Sequence, residues 1–111
     1  MKFLVIGTVP AATSMLPPAL MKQMIEATAN VSNQHKKAGK LLEAYWVPGW
    51  RRVVAIYESK SAEEVVQNFT EIPVNAFMNY EVYPLADYTE AMKMMAEGFK
   101  AMEKMMPAPA K

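Results

Sequence analysis

The sequence contains no cysteine, which excludes disulfide bonds and thiolate metal sites. An excess of charge of one sign is also absent, because 12 Lys and Arg stand against 11 Asp and Glu and give a net charge of +1. This balance provides neither a basic field for nucleic acid nor a polybasic patch for a membrane. No apolar run approaches the roughly 18 residues of a membrane span, and the apolar start is too short for a secretory signal. We therefore expect a cytoplasmic protein that binds neither nucleic acid nor membrane.

The chain has 111 residues, of which 52% are hydrophobic, and this is enough for one domain with a real core. We assign residues 1–106 to that domain, expect a loop at residues 10–14 and expect a frayed tail at residues 107–111. A domain of this size leaves much of its surface wet. A homodimer or a higher homo-oligomer would add burial.

The first half of the chain predicts a strand, a helix and a hairpin. Lys2 to Val9 has the pattern of a buried strand, and a helix from about Ala19 to Lys37 ends before Gly39, a residue suited to the left-handed position. The apolar stripe of this helix contains Leu20, Met24, Ala27, Val31 and His35.

Two further strands, at residues 40–47 and 51–58, flank Pro48 and Gly49, which fit the centre of a type II turn. A two-residue turn would place Trp46 opposite Arg51. Both faces of the hairpin are largely apolar, so we expect helices on one face and a second subunit on the other.

The second half predicts a helix, a strand and a last helix. Ser61 with Glu64 forms a capping box for a helix that ends near Thr70. Pro73 suits the start of a short helical turn, and a strand follows from Asn79 until Pro84 ends the pairing. The order is βαββαβ with an extra C-terminal helix, which is the α+β, ferredoxin-like arrangement with a four-stranded antiparallel sheet.

The stretch before and within the last strand is the most specific part of the sequence. The residues concerned are Ile72, Pro73, Val74, Phe77, Met78, Glu81, Val82 and Leu85. With the element order, they resemble the muconolactone isomerase-like family of the dimeric α+β barrel (ferredoxin-like) superfamily. The resemblance implies a homodimer whose sheets pack face to face, and a pocket between sheet and helices in each subunit.

The same resemblance implies a small enzyme that moves a proton in an unsaturated lactone or aromatic-derived acid, without metal or cofactor. Thr28, Ala29 and Asn30 stand where the namesake isomerases carry carboxylates. Whether the chain is an enzyme is therefore left open. The alternatives are a cofactor-independent monooxygenase and a non-catalytic module for ligand binding or assembly on the same fold.

The candidate site residues are those whose side chains can transfer a proton or bind a flat organic ligand. His35, the single histidine, could act as a base near neutral pH, and Glu43 could act as an acid or base if its strand position is buried. A flat organic ligand could be bound by phenols, an indole and a guanidinium. The candidate substrate-binding residues are Tyr45, Trp50, Arg52, Tyr57 and Tyr80.

The last helix is rich in methionine. One stripe at helical spacing holds Tyr88, Ala91, Met92, Met95, Phe99, Met102 and Met106. Met94 and Met105 lie off that stripe, so the helix could be apolar on more than one side and dock on a neighbouring subunit.

Overall fold

The computed structural model describes residues 1–10 and 15–106, apart from the side chains of residues 76 and 77. Its elements are β1 (Lys2–Thr8), α1 (Pro18–Lys37), β2 (Leu41–Val47), β3 (Arg52–Glu58), α2 (Ala62–Thr70), β4 (Asn79–Leu85) and α3 (Tyr88–Met105), with 3₁₀ helices at Pro48–Trp50 and Pro73–Phe77. The strands form one antiparallel sheet in the order β2-β3-β1-β4. This order confirms the ferredoxin-like α+β fold. Most of the predicted loop at 10–14 and the whole predicted tail at 107–111 lie outside the described residues.

One face of the sheet is covered by helices and the other is not. We call the face that carries Phe3, Val5, Ala55 and Tyr57 the cavity face, because α1, α2 and the second 3₁₀ helix lie over it. We call the opposite face, which carries Leu4, Ile6, Val54 and Ile56, the open face. Side chains alternate between the two faces along the strands, except at an irregularity between Leu41 and Glu43 in β2. On the open face, Tyr45 and Tyr83 also remain exposed in the single chain.

The core lies on the cavity face, and a glycine allows its closest contact. Val5, Tyr57, Val65 and Phe69 are almost fully buried there. A Cβ on Gly7 would lie 2.9 Å from Val53 Cγ1 and 3.2 Å from Phe69 Cζ. The missing side chain in the middle of β1 therefore makes room for the ring of Phe69 from α2.

Local sequence signals set the helix ends as predicted. Gly39 has φ of 75°, the left-handed geometry that a side chain disfavours, just after α1. The Glu64 backbone N–H donates to Ser61 Oγ at 3.2 Å, so Ser61 caps α2. The Glu64 carboxylate in turn accepts from the Lys60 N–H at 3.2 Å. Pro73 opens its 3₁₀ helix, where it removes no helical hydrogen bond.

The hairpin between β2 and β3 differs from the prediction. Pro48–Trp50 form a 3₁₀ turn, and the left-handed residue is Arg51, with φ of 50°, rather than Gly49. The longer loop places Trp46 opposite Val53 instead of Arg51. A two-residue shift in register leaves the side chains of residues 43–47 on the faces that a two-residue turn would give them.

Strand β2 is irregular at its start, where a shift in register between Leu41 and Glu43 puts Leu41 on the cavity face, opposite Tyr57. One further prediction about the strands was wrong. Pro84 does not end β4, since it pairs with Phe3 and Leu85 pairs with Lys2. A proline is compatible with β4 because this is an edge strand, with one side free of hydrogen-bonding partners in the sheet.

Helix α3 extends away from the rest of the chain. The radius of gyration is 19.9 Å and the longest dimension is 72 Å, whereas a compact domain of this length has a radius of about 13 Å. All residues of α3 are exposed except Ala91, which is half-buried. Residues 1–10 and 15–106 therefore supply no cover for this helix.

Among residues 1–10 and 15–106, no helix combines the length and apolar character needed to cross a membrane.

Candidate functional site

A cavity of about 620 Å³ lies between the cavity face of the sheet and the helices. Helix α1 contributes Met21, Ile25, Thr28 and Ser32, and the 3₁₀ helix before β4 contributes Val74 and Asn75. Side chains of β2 and β3 form the floor, including Leu41, Trp46, Val53 and Tyr57. The volume and the mostly apolar lining suit a small organic ligand.

Few polar groups line this cavity, and hydrogen bonds hold some of them. Thr28 Oγ1 accepts the Val74 N–H at 3.2 Å, which joins α1 to the 3₁₀ helix across the cavity wall. Asn75, which is buried, donates from Nδ2 to the Phe69 carbonyl at 2.9 Å. These bonds position two polar side chains against a largely apolar ligand space.

Tyr57 is the lining residue with the most perturbed environment. It stands in β3 between Phe3 and Leu41, is only 1% exposed and meets the Phe69 ring edge-on at 6.4 Å. Burial raises the pKa of the Tyr57 phenol to about 12 because the phenolate would lose its hydration. The phenol therefore stays protonated at neutral pH, where it can donate a hydrogen bond but cannot act as a base.

Arg51 is the only charged residue among the described residues that line the cavity. Its carbonyl accepts the Val9 N–H at 2.9 Å, which fixes the left-handed backbone at the end of the hairpin loop. The side chain is exposed. A cation at the margin of an apolar cavity favours ligands that carry a carboxylate.

A histidine–glutamate pair borders the cavity. His35 Nε2 lies 3.0 Å from Glu71 Oε2, and the His35 ring is buried. Nδ1 of the same ring is buried and has no hydrogen-bond partner among the described residues. Since an ionised carboxylate only accepts, Nε2 carries the proton in the neutral ring and Nδ1 offers a free lone pair.

The position of this pair relates it to the cavity wall. His35 follows Ser32 by about one turn of α1, and Glu71 directly precedes Ile72. Ser32 and Ile72 both line the cavity. The backbone N–H of Lys40 donates to the His35 carbonyl at 2.9 Å, next to Leu41, which is opposite Tyr57. The backbone of His35 is thus joined to the start of β2 beside Tyr57, although His35 itself is not among the described residues that line the cavity.

The structure separates the other predicted site residues from the cavity. Glu43 and Tyr45 are exposed, and Tyr45 lies opposite Val54 on the open face. Arg52 and Trp50 are both exposed and contact each other, with the guanidinium 5.2 Å from the ring centroid.

Tyr80 packs against Phe69, with ring centroids 4.6 Å apart, as part of the core. Of the predicted site residues, Tyr57 lines the cavity and His35 borders it.

The sequence-based reasoning missed Glu71, Thr28, Ser32 and Asn75. Glu71 lies 36 residues from His35, and only the packing of α1 against the end of α2 brings them together. The floor of the cavity, in contrast, had a signal, because Ala44, Trp46, Val53, Ala55 and Tyr57 share one face by simple alternation. What the sequence did not indicate was which face the helices cover.

The described residues contain no group of three or more His, Cys, Asp or Glu side chains that could hold a metal ion.

Comparisons with known proteins agree with this architecture. The family model for muconolactone delta-isomerase matches residues 1–91. A crystal structure of muconolactone isomerase superposes with a TM-score of 0.67 at 19% identity, covering 79% of this chain and 91% of that chain. A comparison with curated protein sequences finds no significant match. The structural match shows the shared fold, and the family match over residues 1–91 shows that this chain belongs to the muconolactone delta-isomerase family.

Proposed function

We propose that this protein is a small enzyme that moves a proton within an unsaturated lactone or an aromatic-derived acid bound in the cavity. The observation that carries the proposal is an apolar chamber lined by a neutral buried phenol, with a buried imidazole next to the chamber wall. Nδ1 of this imidazole has no hydrogen-bond partner among the described residues. Family membership supports the same class of reaction.

In the proposed mechanism, His35 is the base. Nδ1 takes a proton from a carbon next to the ligand carbonyl, and the resulting imidazolium is stabilised by Glu71 on Nε2 at 3.0 Å. The imidazolium then returns the proton to another carbon of the same conjugated system. The reaction is balanced without a cofactor because the proton is returned. It requires that the ligand reach Nδ1 past Ser32.

Tyr57 is the proposed donor to the oxygen that becomes negative when the C–H bond breaks. Its high pKa keeps the hydroxyl proton in place, and burial makes a hydrogen bond to an enolate stronger than in water. Such a donor lowers the energy of the transition state more than that of the bound substrate.

Arg51 has a different proposed role. It immediately precedes β3 and stands six residues before Tyr57, which is about 20 Å along a strand. A small ligand that reacts beside Tyr57 is therefore out of reach of the Arg51 guanidinium. We assign Arg51 to the attraction of anionic ligands to the cavity mouth.

The experiment uses muconolactone as the probe in D₂O, with the exchange of its C–H protons followed by ¹H NMR. We expect exchange by the wild type, a loss of 100-fold or more in His35→Gln, and a smaller loss in Tyr57→Phe. Gln at position 35 keeps a donor for Glu71 but removes the base. Asn33→Ala, on the exposed side of α1, is the matched control and should exchange at the wild-type rate.

The variant Glu43→Gln is tested as well, because the sequence also predicts Glu43 as an acid or base. The exposed position of Glu43 predicts an unchanged exchange rate. Wild-type exchange in His35→Gln would remove His35 as the base, and a rate lost only in Glu43→Gln would move the chemistry to the open face.

A non-catalytic binding module is the second candidate function. It is favoured by one observation: no carboxylate or imidazole is among the described residues that line the cavity itself. It predicts that muconolactone binds without any proton exchange above the uncatalysed rate. The same NMR samples distinguish the two functions.

A further inference from the structure

The apolar residues of α3 follow a heptad repeat. Tyr88, Met92, Met95, Phe99 and Met102 succeed one another at steps of four, three, four and three residues, and Met106 at the helix end continues the series. We call these six residues the α3 seam. A strict alternation of three and four residues is the period of a left-handed coiled coil, since it averages 3.5 residues.

The α3 seam is not covered by any of the described residues. Tyr88 is 76% exposed and Phe99 is 69% exposed. An isolated helix of 18 residues is only marginally stable in water, and most helices in proteins owe their stability to packing of the apolar face. A helix that projects away from its own domain with such a seam is stabilised if a second apolar surface covers the seam.

The residues that flank the α3 seam favour a second copy of the same helix. Ala91, Gly98 and Met105 flank it on one side, and Thr89, Ala96 and Glu103 flank it on the other. Two copies can therefore approach closely, and no pair of like charges is brought together in the seam.

The remaining charged side chains lie on the outer side. They are Glu90, Lys93, Glu97, Lys100 and Lys104, and Lys93 Nζ lies 3.5 Å from Glu90 Oε1. A strongly charged partner would leave this seam unmatched, whereas an identical helix offers it the same apolar surface.

Gly98 adds an independent sign. A glycine inside a helix destabilises it by about 1 kcal/mol relative to alanine. Apart from the backbone of α3 itself, a Cβ at Gly98 would meet no described atom within 4 Å, so the packing of the described residues does not require the glycine. Its place beside the α3 seam is explained if another backbone passes close to it.

We propose that α3 is a pairing helix: two copies of this chain join their α3 seams side by side in a short left-handed coiled coil. The helix is 18 residues long, which is about 27 Å and about two and a half heptads. That is too short to hold two chains together alone.

The open face of the sheet is the natural companion contact, because β4 ends only three residues before α3 begins. Contact through the sheets would raise the effective concentration of the two helices. Five of the six residues of the α3 seam lie beyond residues 1–91, the part of the chain that the family model matches.

Sedimentation equilibrium of the full chain tests the pairing with two neighbouring methionines. Met95 lies in the α3 seam and Met94 lies off it, and both are exposed in the single chain. We expect Met95→Lys to raise the dissociation constant of the dimer tenfold or more, because it places two ammonium groups within the seam. Met94→Lys, with the same change in charge and in helix propensity, should stay within twofold of the wild type.

Cross-linking locates the contact directly. The chain has no cysteine, so a single introduced thiol reports without background. With a short bismaleimide, Met95→Cys should form covalent dimers at least tenfold faster than Glu97→Cys, which lies on the outer side. Equal rates for the two thiols, equal effects of the two lysine variants, or a wild-type chain that stays monomeric at high concentration would each overturn the proposal. Burial of the α3 seam only when lipid vesicles are added would also overturn the proposal.

Discussion

At the scale of single residues, the environment of a side chain decides its chemistry more than its type does. Tyr57 and Tyr83 are both strand tyrosines, yet Tyr57 is buried over the cavity and Tyr83 is exposed beside Glu81. The pKa of Tyr83 is raised by its hydrogen bond to Glu81, whereas the pKa of Tyr57 is raised by burial. Only Tyr57 combines a perturbed pKa with a cavity, which is the pairing typical of functional sites.

The perturbed phenol predicts a pH dependence of stability. A folded-state pKa of about 12 exceeds the ordinary value of 10.0, so the unfolded chain releases this proton first as pH rises. The stabilisation is fully present below pH 10 and is lost between about pH 10 and 12, by up to about 3 kcal/mol.

Urea unfolding from pH 8 to 12 measures this effect as the difference between wild type and Tyr57→Phe. Subtraction of the variant removes the titration of the other tyrosines and of the lysines. A difference that does not change with pH would show that Tyr57 titrates normally in the folded protein.

At the scale of elements, the sequence predicted most of the architecture, because local signals agreed with one another. Ser61 before α2, Gly39 after α1 and Pro73 at its 3₁₀ helix each acted where their backbone chemistry requires. The prediction of a two-residue type II turn in the hairpin was wrong because a Pro-Gly pair also fits a 3₁₀ turn. The left-handed backbone then fell to Arg51, a residue that rarely adopts it. This conformation places Arg51 at the cavity as its charged residue. No local sequence pattern predicts that position.

Removal of the N-cap side chain should change the free energy of unfolding for α2 but not for α3. Ser61 caps α2, which is buried through Val65 and Phe69, so Ser61→Ala should lower the free energy of unfolding by about 1 kcal/mol. Asp87 caps α3 by accepting the Glu90 N–H at 3.0 Å, but α3 projects from the domain. At low protein concentration, Asp87→Ala should leave global unfolding unchanged and reduce only the amide protection of α3.

Urea titration and hydrogen exchange provide the two measurements. A global loss of stability in Asp87→Ala equal to that in Ser61→Ala would mean that α3 packs on its own domain.

At the scale of the whole molecule, one sheet serves two purposes. The cavity face closes a chamber with α1 and α2, and the open face leaves an apolar surface with Leu4, Ile6, Val54 and Ile56 at its centre. The sequence predicted that both faces would need cover, since both alternate sets are apolar. It could not say which set meets the helices, because that choice depends on how the crossovers pack rather than on any single strand.

The open face predicts self-association. Two copies that bury this face against each other would remove the apolar centre from water, as the dimeric arrangement expected from the sequence requires. We expect Val54→Lys to weaken association tenfold or more by sedimentation equilibrium. Glu63→Lys, on the exposed side of α2, should have little effect. If Val54→Lys associates as tightly as the wild type, the contact lies elsewhere.

The most direct test of the account is whether an unsaturated lactone enters the chamber between sheet and helices. Met21 and Met78 line this chamber, whereas Met94 and Met105 stand exposed on α3. In protein labelled with ¹³C at the methionine methyl groups, titration with muconolactone should shift the Met21 and Met78 resonances and leave Met94 and Met105 in place. Unchanged Met21 and Met78 signals at saturating muconolactone, or shifts confined to α3, would contradict the account.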